Sequence, residues 1–265
     1  MNDKVDLEFY YEDTGPPPNN AGPVVVFSHG FLMDHTMWEP QVSALKDRYR
    51  CITWDQRGHG LTATDRLDPF TFYDSANDLA ALLTHLGIEK AVLAGMSQGG
   101  YLTLRAAIIN PGIVDALVLI DTQTGLMDKS HLTGNFQLLN AWLTTGLSDG
   151  LAAKVAAEIL KPNWPGAAPW IAKWKATKLV NLAMSFRTLV TRDDITPYAP
   201  AIKTRSLVVY GQNDLAVPPK AIKAMAAALH AETYMVKGAG HASCLTNPEQ
   251  VNPQIEAFLK ERACA

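Results

Sequence analysis

Cysteine is scarce in this chain. Its 265 residues contain three, Cys51, Cys244 and Cys264, an odd number with no Cys-x-x-Cys pair. That spacing argues against a disulfide framework or a cysteine-ligated zinc site, and it suits a reducing cytoplasm. Long apolar runs are missing too. None approaches the roughly 20 residues that a membrane helix needs. The opening Met1-Asn2-Asp3-Lys4-Val5-Asp6 has no basic stretch leading into an apolar one, so no secretory leader is expected. Neither sign of charge is in excess: 23 Lys and Arg stand against 26 Asp and Glu, a net charge of −3. Nothing in that balance points to nucleic acid or an anionic membrane as a partner. There is no internal repeat, P-loop, His-Glu-x-x-His or calcium-loop pattern. Gly238-Ala239-Gly240 starts like a dinucleotide fingerprint but lacks the third glycine and an early strand–helix unit. Neither a metal nor an organic cofactor is expected.

What is present suits one soluble enzyme-sized α/β domain: 48% hydrophobic and 18% charged residues in a length that can bury a large core. Short, mostly apolar runs such as Val24–Phe27, Ala91–Ala94, Ala116–Ile120 and Ser206–Tyr210 read as buried strands, the first of them wholly apolar, as expected of a parallel strand covered on both faces. Val5 to Tyr11 alternates like an edge strand, and the Pro16–Pro23 turn region leaves a hairpin into the next strand open. Helical patterns lie between the runs. Thr71-Phe72-Tyr73-Asp74 is a capping-box start, and Asn247-Pro248-Glu249-Gln250 is another, opening a terminal helix to about Arg262. Composition shifts from about Asp121 to Pro200, where four of the six tryptophans stand among helical patterns broken by Gly and Pro. The expected fold is therefore α/β, a mostly parallel eight-stranded sheet with helices on both faces. Residues 1–121 and 201–265 form its core, and 122–200 a helical lid.

The chemistry centres on Gly95-Met96-Ser97-Gln98-Gly99-Gly100, set between a strand and a helix. A sharp strand-to-helix turn strains the backbone at Ser97, so the residues two positions away must lack colliding side chains. The turn lifts the hydroxyl above the sheet, at a helix N-terminus that favours developing negative charge. Two further strands end in Gly211-Gln212-Asn213-Asp214 and Lys237-Gly238-Ala239-Gly240-His241. Parallel strands place their C-terminal ends on one edge, so Ser97, Asp214 and His241 converge. His241 then takes and returns the Ser97 proton, and Asp214 holds the imidazole. Asp121, after the strand that follows the elbow, is the rival acid; Asp214 is favoured because Gly-x-x-Asp precedes Pro218.

With His29-Gly30-Phe31 and Asp55-Gln56-Arg57-Gly58-His59-Gly60, these stretches resemble the α/β-hydrolase superfamily over nearly the whole chain. Within it the chain is similar to the small lidded esterase/lactonase branch, which includes 3-oxoadipate enol-lactonases and cofactor-free haloperoxidase-like perhydrolases. The resemblance implies an oxyanion hole from the backbone N–H groups of Phe31 and Gln98, the Gln98 side chain contributing little. It implies a small-molecule ester or lactone as substrate. A serine at the elbow argues against dehalogenase and epoxide-hydrolase chemistry. His29 is assigned to anchoring its loop, Asp55 and Arg57 to loop-fixing hydrogen bonds, and His59 to a surface turn. Candidate pocket residues are Leu32, Met96, Met127, Phe136, Trp142, Trp164, Leu215 and Val217. Two function classes stay open. One is a serine hydrolase working through an acyl-enzyme on a hydrophobic ester, with lactones (enol-lactone or acyl-homoserine lactone type) or perhydrolysis as variants. The other is a ligand-binding receptor or scaffold on the same fold. Degeneration to a scaffold is expected to remove a triad member, and none is missing.

Overall fold

Seven strands carry the fold: β1 (Tyr11–Asp13), β2 (Val25–Ser28), β3 (Cys51–Trp54), β4 (Ala91–Met96), β5 (Val114–Ile120), β6 (Ser206–Gly211) and β7 (Glu232–Val236). The computed structural model describes residues 8–18 and 22–261. The strands form one sheet in the order β1-β3-β2-β4-β5-β6-β7, parallel throughout except for β1. About eight strands are expected from the sequence; the described residues supply seven. The edge run beginning at Val5 lies partly outside them, as do Asn19 to Ala21 in the turn region and the chain from Arg262 through Cys264. No hairpin forms between β1 and β2, because both edges of β2 are taken by β3 and β4. β1 instead pairs antiparallel with β3, Tyr11 opposite Trp54.

The period of two along each strand divides the core. Val25, Phe27, Val92, Ala94, Val118 and Ile120 face one layer, with α1 (Glu39–Leu45), the short α9 (Ser243–Thr246) and α10 (Pro248–Lys260) packed on it. Val26, Leu93, Leu117 and Leu119 face the other, under α2 (Phe72–His85), α3 (Gln98–Ile109) and α8 (Pro219–Ala228). Burial on both faces is why these runs contain almost no polar residue. The Thr71–Asp74 capping box forms at the start of α2. The one expected at Asn247 does not. The Gln250 side chain bonds both backbone groups of Lys237 instead, pinning α10 to the loop after β7.

Between β5 and β6, residues 122–200 supply no strand. They form α4 (Lys129–Thr145), α5 (Asp149–Ile159), α6 (Ala167–Lys175) and α7 (Leu179–Val190). Polar anchors tie this segment down, two of them reaching buried ground. The Trp174 indole donates to the Leu32 carbonyl at 2.6 Å, and the Arg105 guanidinium, 1% exposed, pairs with Asp193. The strand order reverses at β2 and β4, and at such a switch point the loops beyond the carboxyl ends leave a crevice. Cys51 and Cys244 are buried free thiols. No helix of the described residues is long and apolar enough to cross a membrane.

Candidate active site

Ser97 sits at φ 49°, ψ −112°, a backbone region that costs on the order of 1–3 kcal/mol. The glycines around it make the turn possible. A Cβ on Gly99 would lie 1.9 Å from the Ser28 carbonyl oxygen, and one on Gly95 would lie 2.4 Å from that of Gly99. Hydrogen bonds then hold the strained residue from both sides: its N–H donates to Ile120 O (2.9 Å), and the Thr122 hydroxyl donates to its carbonyl (2.9 Å).

The three strand ends bring Ser97, His241 and Asp214 into one line. His241 Nε2 is 2.8 Å from Ser97 Oγ, and its Nδ1 is 2.9 Å from Asp214 Oδ2. The other Asp214 oxygen accepts from the N–H groups of Ala216 and Val217 at 2.8 and 2.9 Å, which aims Oδ2 at the ring. All three side chains are buried. Burial by itself disfavours the imidazolium, but the Asp214 carboxylate, by charge and hydrogen bond, outweighs it and raises the His241 pKa above its ordinary value. This line can take a proton from the serine and hold it on the imidazole.

Asp121 is just as close to the machinery but does something else. One of its oxygens accepts from Gly211 N (2.7 Å), the other from the N–H and hydroxyl of Ser243 (2.9 and 2.7 Å). It makes no hydrogen bond to His241. Its carboxylate laces the end of β6 to the loop that carries the histidine. Burial, followed by the nearby Asp214, pushes its pKa up to about 7.

The N–H groups of Phe31 and Gln98 take no partner among the described residues. Gln98 opens α3, so its amide also carries the positive end of a helix. A buried polar lattice fixes their positions. His29 Nδ1–H donates to Gly30 O (2.8 Å), and its Nε2 accepts from Gln56 N (3.0 Å), which requires a neutral ring. Burial lowers the His29 pKa accordingly. The Gln56 side chain donates to His29 O at 2.5 Å and accepts from Gln98 Nε2 at 3.0 Å. The Gln98 side chain therefore does more than the sequence suggests: through Gln56 it ties the elbow to the opposite loop. His59 corrects the expected surface turn. Gly58 and Gly60 adopt positive φ and fold the loop inward, leaving His59 buried beside His29 with its pKa lowered by burial to about 3. Asp55 accepts from the backbone of His35 and Leu61, and Arg57 pairs with Asp78 on α2.

Ser97 and His241 open into a cavity of about 90 Å³. Of the pocket candidates, Leu32, Met96, Met127, Trp142 and Val217 line it, and so does Phe31 of the oxyanion loop. Phe136, Trp164 and Leu215 do not. Phe136 is 49% exposed, its ring edge-on to Phe186, which does line the cavity. Trp164 folds over Gly166, and Leu215 is 55% exposed. The sequence reading missed the α7 face Leu182, Phe186 and Leu189, although its 4-then-3 spacing was a usable signal. It also missed Asn135 and Glu158, for which no local pattern existed.

Residues 25–254 match the alpha/beta hydrolase family. The chain is 30% identical to "Putative carbamate hydrolase RutD" of Yersinia enterocolitica, over 94% of this chain and 91% of that one. It is 27% identical to 3-oxoadipate enol-lactonase 1 of Acinetobacter baylyi, over 92% and 90%. Among solved structures, a thermophilic esterase of Thermogutta terrifontis superposes with a TM-score of 0.83 at 29% identity, covering 96% of this chain and 94% of that one.

Proposed function

The chain belongs to the alpha/beta hydrolase family and is a hydrolase, and on that premise we propose that it cleaves a carboxylic ester or lactone of a small hydrophobic substrate through an acyl-enzyme. The observation that carries this reading is the buried Ser97–His241–Asp214 line opening into an apolar cavity. His241 Nε2 accepts the Ser97 proton as Oγ bonds to the substrate carbonyl carbon. The carbonyl π electrons move onto oxygen, which the Phe31 and Gln98 amides receive. As the tetrahedral intermediate collapses, the bond to the leaving oxygen breaks and His241 returns its proton there. Water then repeats the sequence: it loses a proton to His241, adds to the acyl carbon, and Ser97 Oγ leaves and is reprotonated. Asp214 keeps Nδ1 protonated throughout, so Nε2 is the free base. These steps use only side chains, backbone and water.

Residues 122–200 act in this reading as a lid on the core formed by 1–121 and 201–265: α4, α5 and α7 supply the cavity wall that the sheet edge lacks. A scaffold role is disfavoured by the intact hydrogen-bonded line. A lactone, whose leaving oxygen stays tethered to the acyl group through the carbon chain after the ring opens, is the second reading, favoured by the resemblance to the enol-lactonase. Assaying p-nitrophenyl esters, lactones and carbamates with wild type and Ser97→Ala tests both. Esters or lactones should turn over only with Ser97 present, and a fluorophosphonate should add one mass increment, on Ser97. Labelling elsewhere on active protein, or turnover that survives Ser97→Ala, would overturn the proposal.

A further inference from the structure

One wall residue does not belong in an apolar acyl pocket. Glu158 projects from α5 on the same face as Val155 and Ile159, and all three line the cavity that holds Ser97 and His241. It is the only acidic side chain in that lining among the described residues. It makes no hydrogen bond or ion pair with any described residue. Leucines from α4 and α7, Trp142 and Phe186 line the same cavity. Burial raises its pKa, and the positive charges that bear on it come from His241 and from His131 on α4. The side chain is only partly buried, so water still reaches it, and a substrate that displaces that water must supply a partner in its place.

We propose that Glu158 is a specificity-determining residue: it selects substrates whose acyl part carries a hydrogen-bond donor, foremost a protonated amine, and bars those that carry a carboxylate. This rests on the ester-hydrolase reading of the site. An ammonium group beside Glu158 forms a charge-assisted hydrogen bond, strengthened as the bound substrate displaces water from the cavity. A carboxylate there meets like charge, and among the described residues no lysine or arginine stands in the lining to offset it. A wall residue of fixed charge discriminates by contacts made and contacts denied together. Glu158 also bears on the His241 charge, and that influence reaches every substrate alike. Charge selection does not, so the two are separable.

The test uses p-nitrophenyl esters of four equal-length acids: hexanoate, 6-hydroxyhexanoate, 6-aminohexanoate and adipate (mono-ester). Wild type should prefer the amino ester over the adipate ester by about 100-fold in kcat/KM, the hydroxy ester also exceeding the adipate ester. In Glu158→Gln the amino-to-adipate preference should collapse by about 100-fold, mostly through KM. A common factor on all four esters with the preference unchanged would overturn the proposal and leave Glu158 acting only through His241. Binding of 6-aminohexanamide and adipamate to Ser97→Ala, measured by calorimetry with and without Glu158→Gln, reads the same preference without turnover. Loss of ester chemistry with the binding preference intact would then strike the hydrolytic reading and spare Glu158. Equal binding of the two amides would sink Glu158 whatever the chemistry.

Discussion

The edge of the sheet and the helical segment that faces it build one cavity by different means. At the strand ends, backbone conformation dictates the residue. Ser97 and Asp121 both sit at φ 49°, Gly99 has no room for a Cβ, and hydrogen bonds hold the Ser97 carbonyl and both Asp121 oxygens. In residues 122–200 the helices are ordinary, several glycines face open space, and what matters is which side chains turn inward. Constraint of the first kind fixes a reaction, whereas the second kind leaves the substrate adjustable. The contrast can be attacked from either side.

The largest effects belong to the strand ends. Gly99→Ala should yield no correctly folded elbow, since a methyl group 1.9 Å from the Ser28 carbonyl cannot be absorbed by a flexible neighbour. Circular dichroism and fluorophosphonate labelling of the purified variant would show it. Asp214→Asn should keep the fold but present the wrong imidazole tautomer, a loss near ~10⁴-fold in kcat. Asp121→Asn, whose oxygens bond Gly211 and Ser243 rather than His241, should cost less than about 100-fold. The reverse ranking of the two asparagine variants would move the acid to Asp121 and erase the distinction drawn between them.

A smaller loss is expected at the lattice behind the oxyanion loop. Gln56→Leu removes the side chain that receives Gln98 and holds His29 O, leaving the Phe31 and Gln98 amides in place but less well aimed. Deleting an oxyanion donor outright costs about 10²–10³-fold. Misaiming two should cost about 10-fold, in kcat more than KM. An unchanged kcat would make the Gln56–Gln98 contact mere packing.

The acid limb of the pH profile comes next. His241 must be neutral to accept the Ser97 proton, and its pKa lies above the ordinary 6.5 because Asp214 outweighs burial. Activity is therefore present above that raised value and falls about tenfold per unit as pH drops through it. A limb centred below 6.5 would mean that burial dominates. The limb should move down in Asp214→Asn, where the stabilising charge is gone.

How far the sequence could be read follows the same divide. Gly95, Gly99, Ser97, Asp214 and His241 were legible because a strained turn and strand-end loops admit few residue types. The buried runs gave the strands, since a face-to-face period of two under helices on both sides excludes polar residues. Harder to see were features that depend on a long-range partner. His59 becomes buried only because two positive-φ glycines turn its loop inward, and Gln250 leaves its cap for Lys237. On the helical side, phase decides everything. Phe136 and Trp142 stand six residues apart on α4, yet one is half exposed and the other lines the cavity. Composition could place aromatics in that segment but not aim them.

The smallest effect is the sharpest probe of the divide, because it repeats the substitution that ruins the elbow. Gly134 lies inside α4, where an added Cβ meets nothing within 4 Å and the backbone is already helical. Glycine there loses more conformational freedom on folding than alanine does, at roughly 0.5–1 kcal/mol in a helix interior. Gly134→Ala should therefore stabilise the protein by about that amount, raising Tm by about 2 °C in a chain of this size. Its kcat/KM should stay near wild type, since Gly134 lines no part of the cavity. A fall in Tm would mean that α4 needs local freedom to pack, and a fall in kcat at raised Tm that the helical wall must move during turnover. Either outcome would break the claim that backbone demands concentrate at the strand ends, because the same methyl group would then be resisted on both sides of the cavity.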